Sequence, residues 1–267
     1  MPSLNLSTLH QSHLEYLTGC RYAVLMRLAS VAKQALFTRA RGRPHRHGPL
    51  AMVGLVMMKL RHNLTGRALE ALAGIDAVTL SRYVRKVTVL LGALPLRMRQ
   101  PQGFLLVDTT SVRVGSSAPS SYSGHKHQRC AKVQVIADEA GFVQHSGAAW
   151  PGSVHDKTAY NKERVSLGEA LGTLMLADKA YVGAFNEGEG LLRPIKRGER
   201  AATLPAAQAF NAELSRRRVR IEHVFARLKT FRVLQGLFPY RGEQLGTVLR
   251  AIALVHNLNR LEAVETR

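Results

Sequence analysis

The sequence predicts an α/β protein: a helical first hundred residues, then short strands and helices arranged around a mixed sheet. Three observations carry this. Apolar residues recur at helical spacing up to Leu91, compact apolar runs of strand length begin at Phe104, and a long amphipathic stretch covers Asn211 to Leu228. The 267 residues suffice for one domain of usual size and a smaller one, and we place the boundary near residue 100, giving 1–100 and 101–267. With 46% hydrophobic and 21% charged residues, the composition excludes disordered and fibrous classes. Apolar runs such as VLLGALPL at 89–96 stop far short of the roughly 18 residues a membrane span needs. No signal-peptide-like apolar stretch follows Met1, so a soluble, cytoplasmic protein without a membrane partner is expected. Cys20 and Cys130 show no Cys-x-x-Cys spacing, which argues against a disulfide framework or a zinc ribbon.

The helical part is strongly basic. Residues 1–100 hold 15 Lys and Arg against 3 Asp and Glu, residues 101–188 hold 8 of each, and residues 189–267 hold 15 against 7, within a formal net charge of +20. Two basic ends flanking a neutral middle point to a polyanion, with nucleic acid as the first candidate, because Lys and Arg that neutralise phosphates supply much of the affinity for a duplex. Between the first helical stretches, Arg39 to His47 mixes Gly, Pro and cations without periodicity and reads as an exposed linker or a phosphate-contacting arm. Pro49 to Leu60 is apolar at helical spacing, and a shorter amphipathic piece runs from Thr65 to Ala73. Gly74 closes that piece and Asp76 is placed to cap the next, Ala77 to Leu91, which carries Leu80, Val84, Val87 and Leu91 on one face and Arg82, Arg85 and Lys86 off it. Two short helices joined by a glycine turn, the second bearing cations, form a helix-turn-helix pattern near 60–90. In that pattern Thr79, Arg82, Arg85 and Lys86 approach base edges or phosphates; otherwise they are ordinary solvated surface.

Phe104 to Val107 is a compact strand run that ends at Asp108. Two further strands are expected at Ala131–Ala137 and Phe142–Trp150, joined by the turn residues Asp138-Glu139-Ala140-Gly141 and therefore antiparallel. A short apolar strand at Leu174–Ala177 then ends at Asp178. One aspartate after a strand is commonly a loop start or a helix cap. Two at the ends of neighbouring strands put like charges at one sheet edge, where each raises the pKa of the other unless a cation intervenes. Oxygen ligands without Cys or clustered His favour Mg²⁺ or Mn²⁺ over zinc. Asp156, between Gly152-Ser153-Val154-His155 and a helical run, reads better as an N-cap than as a ligand. On the long C-terminal helix, Arg218, Glu222 and Lys229 share roughly one face, and read alone they describe a surface salt-bridge pattern.

In order, Asp108 (FLLVDTTSV), Asp178 (LMLADKAY) and Glu222 (RVRIEHVFARLK) resemble the DDE triad of the insertion sequence 5 family of bacterial transposases, related to the eukaryotic Harbinger group. YSGHKHQRCAKVQVIAD at 122–138, PGSVHD at 151–156 and the helix-turn-helix segment at 60–87 resemble that family's corresponding segments. Arg218, Glu222 and Lys229 match the related signature Tyr-x2-Arg-x3-Glu-x6-Lys, except that Ser215 stands where Tyr is expected. The resemblance implies a ribonuclease H-like catalytic domain at 101–267 behind a DNA-binding helical domain. Asp108, Asp178 and Glu222 would hold two Mg²⁺ (or Mn²⁺) ions roughly 4 Å apart. It further implies hydrolysis at an element's terminal repeats to free a 3′-OH, joining of that 3′-OH to target DNA, phosphate contacts by Arg218 and Lys229, and a homodimer or higher oligomer associated with the nucleoid. The rival readings are a DNA-binding regulator or inactive relic, and a metal-dependent nuclease with another substrate.

Overall fold

The computed structural model describes residues 4–37, 47–96, 99–115, 121–124, 126–163, 174–185, 187 and 190–265. Most of the Arg39–His47 segment lies outside them.

Five helices come first: α1 (Gln11–Thr18), α2 (Tyr22–Leu36), α3 (Pro49–His62), α4 (Gly66–Ala73) and α5 (Ala77–Ala93). Pro49 opens α3, where its fixed φ and missing N–H cost nothing, and Met52, Val53, Leu55, Val56, Met57, Met58 and Leu60 make α3 buried on nearly all sides. The Thr65 hydroxyl caps α4 by accepting the Ala68 N–H at 3.1 Å. Gly74, at φ 65°, ends α4 in the left-handed conformation that glycine adopts without strain. The Asp76 carboxylate then caps α5 through the Thr79 N–H at 2.8 Å. These stops and starts fall where the sequence places them.

The sheet comprises β1 (Leu105–Arg113), β2 (Tyr122–Ser123), β3 (Gln128–Asp138), β4 (Val143–Pro151), β5 (Met175–Leu176) and β6 (Leu191–Leu192), with α6 (Asp156–Glu163) between β4 and β5. Strand order is β2-β3-β1-β5-β6, and β4 also pairs with β3. β1 and β3 are antiparallel from Leu105↔Asp138 to Arg113↔Cys130, and β3 and β4 are antiparallel around the 138–141 turn. β5 runs parallel to β1, with Leu105↔Met175 and Leu106↔Leu176, and β6 parallel to β5. The expected pairings are therefore present, but β1 does not stop at Asp108. The run Thr109-Thr110-Ser111-Val112, β-branched at all but Ser111, continues the ladder with β3, which extends five residues beyond Asp108, whereas the parallel partner β5 ends at Leu176. Asp108 thus lies within a strand, at the level where its parallel neighbour gives out.

Strand alternation gives the sheet two different faces. On one, Leu106 and Leu176 pack against Ile221 of α7 (Ala206–Leu228), flanked by Phe104 and Phe225. On the other, Leu105, Val107, Ile136 and Met175 pack against Tyr160 and Tyr181. The last helix, α8 (Leu245–Glu265), lies against β4 and α5, and Gly246 lets it approach so closely that a Cβ there would stand 3.1 Å from the β4 backbone. Through α8, the N-terminal helices and the far end of the sheet share one apolar cluster. Among the described residues no helix is long and apolar enough to cross a membrane.

Candidate active site

Register puts the two predicted aspartates at one level. Leu106 and Leu176 are partners on parallel strands, so Asp108 and Asp178, each two residues on, fall at one level on the face covered by α7. The carboxylates are held by adjacent backbone: Asp108 Oδ1 accepts the Thr109 N–H at 2.7 Å, and Asp178 Oδ1 caps the 179–181 turn by accepting the Ala180 N–H at 2.7 Å. From α7, the Arg218 guanidinium reaches Asp108 Oδ2 at 3.1 Å, and its buried Nε has no partner among the described residues. Burial pushes the Asp108 carboxyl up to about 6, against the opposing pull of the Thr109 N–H and Arg218, and the charges of Asp178 and Asp156 push the same way.

Asp156 is thus a third carboxylate within electrostatic reach of Asp108. It is not the cap of α6: the His155 carbonyl takes that position by accepting the Ala159 N–H at 3.0 Å, and Asp156 is the first helical residue. Its Oδ1 pairs with Lys132 Nζ at 3.1 Å, and the same ammonium donates to the Val154 carbonyl at 2.9 Å. The loop before it packs tightly, since a Cβ on Gly152 would meet the Ser121 carbonyl at 2.5 Å and the Cys130 carbonyl at 2.8 Å. That close approach accounts for the glycine of the PGSVHD segment.

Glu222 lies one turn beyond Arg218 on α7, exposed, with no hydrogen bond or ion pair among the described residues. Correspondingly, no three His, Cys, Asp or Glu side chains among the described residues stand close enough to hold one metal ion. The structure therefore brings Asp108 and Asp178 together and leaves Glu222 on the flanking helix. Lys229 is half-buried at the end of α7, where burial first and the charge of Lys126 second lower its pKa. Lys126 donates a hydrogen bond to Ser111 Oγ, three residues along β1 from Asp108.

On α5, Arg82, Arg85 and Lys86 are exposed, as the pattern requires, while Thr79 is half-buried with its N–H given to the Asp76 cap. Sequence reasoning missed Lys126, Lys132 and Tyr181. The first two lie inside the 122–138 segment and the third lies three residues after Asp178, so each was within a quoted motif. What distinguishes them is a partner distant along the chain.

A profile of the family described as DDE superfamily endonuclease matches residues 107–257, more than half of the chain. A protein of Streptomyces albus G, described as a transposase for insertion sequence element IS112, is 28% identical over 207 residues, covering 76% of this chain and 77% of its own. One from Microchaete diplosiphon, described as a transposase for insertion sequence element IS702, is 26% identical over 165 residues, covering 61% of this chain and 59% of its own. No solved structure matches. The family match begins one residue before Asp108 and runs through Asp178 and Glu222 to Asn257 of the last helix, and the chain belongs to the DDE superfamily endonucleases of the insertion-sequence transposase type.

Proposed function

We propose that this protein is a DNA transposase that binds the terminal repeats of an insertion sequence, cuts at the element's ends to free 3′-OH groups and joins them to target DNA. The observation that carries the reading is the level placement of Asp108 and Asp178 on adjoining parallel strands, under a helix bearing Arg218, Glu222 and Lys229. The order of the sheet supports a ribonuclease H-like core: two antiparallel neighbours lead from β1 to β3 and β4 on one side, and β5 and β6 follow in parallel on the other.

The donor set fits hard divalent cations. It is made of oxygens alone, and a cation relieves both the burial that chiefly raises the Asp108 carboxyl to about 6 and the smaller push from the charges of Asp178 and Asp156. Asp108, Asp178 and Glu222 are the residues we assign to holding Mg²⁺ or Mn²⁺, with two ions in the working site. When bound, such ions polarise the phosphodiester and stabilise the charge that develops on the leaving 3′ oxygen. The protein's own groups do the rest. Arg218 neutralises Asp108 and lies where a phosphate oxygen of the substrate is within its reach; Lys132 keeps Asp156 paired; Lys229 supplies a cation along the same helix. Bond exchange at phosphorus by an oriented oxygen nucleophile needs no covalent enzyme intermediate.

The helix-turn-helix of α4 and α5 is assigned to DNA recognition through Arg82, Arg85 and Lys86, with Thr79 at its start. Pairing two DNA ends calls for a homodimer or larger assembly, working on double-stranded DNA in the cytoplasm at the nucleoid. The test is cleavage of a labelled duplex carrying the element's own end, with Mg²⁺, Mn²⁺ or EDTA, for wild type and Asp108→Asn. Metal-dependent nicking that leaves a 3′-OH and vanishes in the variant is the expected result. Tight binding without cleavage under all three conditions would replace this reading by that of a DNA-binding regulator.

A further inference from the structure

The pairing of β1 with β5 ends at Leu106↔Leu176, two residues before the aspartates, and beyond Leu176 the next backbone bond from that strand, Ala177 N–H to the Leu192 carbonyl at 2.8 Å, turns away to β6. Among the described residues no backbone bond joins β1 to the chain beyond Leu176, so none ties the Asp108 and Asp178 residues directly. One side-chain bond does cross: Thr109 Oγ1 and Tyr181 OH stand 3.1 Å apart. Its two ends are next to the groups that hold the carboxylates. Thr109 supplies the N–H bound by Asp108, and Tyr181 closes the 179–181 turn that Asp178 caps. The bond lies on the face of the sheet opposite α7, since Thr109 continues the Leu105 and Val107 row whereas Asp108 continues the Leu106 row.

Tyr181 is well held there. It is fully buried, and its ring meets Tyr160 edge-on at 5.7 Å and 84° within the cluster of Leu105, Val107, Ile136 and Met175. The ring and the hydroxyl can thus be separated by mutation: packing fixes the ring, and the hydroxyl spans the gap. Gln134 faces Thr109 across the β1–β3 ladder and is also fully buried, yet among the described residues neither of its amide atoms has a partner, so the Thr109 hydroxyl is committed to the tyrosine.

We propose that the Thr109–Tyr181 bond is the strut that sets the spacing of the Asp108 and Asp178 carboxylates, making Tyr181 a positioning residue for divalent-cation binding. It acts through the two aspartates and touches neither ion nor DNA. The inference rests on the assignment of those aspartates to cation binding. Groups that orient metal ligands from behind typically change metal affinity 10- to 100-fold when removed.

The experiment measures Mn²⁺ binding to the full-length protein without DNA, by the loss of free-ion electron paramagnetic resonance signal, alongside the thermal midpoint of each variant. Tyr181→Phe is expected to weaken Mn²⁺ binding at least about 10-fold while keeping the ring and a thermal midpoint close to wild type. Thr109→Val is expected to do the same, and the double variant to be no weaker than either single one, because both remove one shared bond. Thr109→Ser, which keeps the hydroxyl, is expected to bind like wild type; it also distinguishes the strut from a general loss of packing. Unchanged Mn²⁺ binding in Tyr181→Phe, or losses that simply add in the double variant, would overturn the strut while leaving the aspartate assignment intact if Asp108→Asn still abolishes binding. A wild type that binds no Mn²⁺ would overturn that assignment and the strut with it.

Discussion

The Asp108–Asp178 edge and the Glu222 turn of α7 hold carboxylates of the same motif in very different ways. In the sheet, register sets the level of the two aspartates, each takes an N–H from the chain just beyond it, and Arg218 pairs with one of them. On the helix, Glu222 is exposed and unpartnered among the described residues, although Ile221 beside it is fully buried against Leu106 and Leu176. Backbone pairing positions a strand residue before any ligand arrives. A helix residue is positioned only as well as the helix is packed and its own rotamer is held, and here the first condition is met and the second is not. The pair is thus held in place by the backbone, whereas the Glu222 side chain is not.

The largest effect expected from this difference is on DNA cleavage, where Asp108→Asn, Asp178→Asn and Glu222→Gln should each lose at least about 1000-fold, or about 4 kcal/mol of barrier, with DNA binding largely retained. Activity within tenfold of wild type in any of the three, measured on the labelled element end, removes that residue from the chemistry. Cation binding without DNA separates the two regions. Asp108→Asn should abolish Mn²⁺ binding, whereas Glu222→Gln should leave it within about twofold, since Glu222 stands apart in the free protein. Equal losses in both would show that the helix carboxylate is already engaged and would break the comparison.

Ile221→Ala probes the packing half of the argument. Truncating a fully buried side chain between strand and helix should cost about 2–4 kcal/mol in denaturant unfolding. A cost below about 1 kcal/mol would mean that α7 is not held to the sheet by this contact.

A smaller effect tests the other side of the sheet. Burial keeps the His256 imidazole neutral, its pKa lowered to about 4, and the charges of Arg260 and Arg227 act in the same direction against the hydrogen bond to the Gly141 carbonyl at 2.9 Å. Between pH 6.5 and 4 the unfolded chain binds the proton that the folded chain refuses, so stability falls as pH drops through that window. From pH 7 to pH 5 the His256 share of this loss should be on the order of 1–2 kcal/mol, opposed by Asp108, whose raised pKa lets the folded chain take up its proton first, so the difference between wild type and His256→Gln isolates the imidazole. An equally steep profile in the variant would assign the pH dependence to another group.

Legibility in the sequence follows the same division between local and distant causes. The capping residue Asp76, the stop at Gly74 and the aspartates after apolar runs could be read because each acts on residues within a few positions. The extension of β1 beyond Asp108 could not, because it depends on pairing with β3, nor could α8, whose buried run from Val248 to Leu258 hides the amphipathic period under neighbours on nearly all sides. The links Arg218–Asp108 and Lys132–Asp156 join residues 110 and 24 positions apart and exist only once the sheet has formed. The carboxylates were thus legible one by one as motif residues, while the partners of each were not.

The mildest prediction concerns the proposed recognition helix, where exposure replaces preorganisation altogether. Arg82 and Arg85 are solvated on α5 and carry no structural partner among the described residues, so replacing either by Ala should leave thermal stability unchanged. On DNA the same side chains neutralise phosphates or reach base edges. A phosphate contact, when lost, weakens binding similarly for all sequences and reduces the slope of log affinity against log salt by about 0.9. A base contact, when lost, costs about 1–3 kcal/mol on the element's end and little on unrelated duplex. Titrating wild type, Arg82→Ala and Arg85→Ala over a range of salt on both duplexes distinguishes these roles. Identical curves for all three proteins would move DNA recognition off α5 and leave the basic N-terminal region as an electrostatic surface alone.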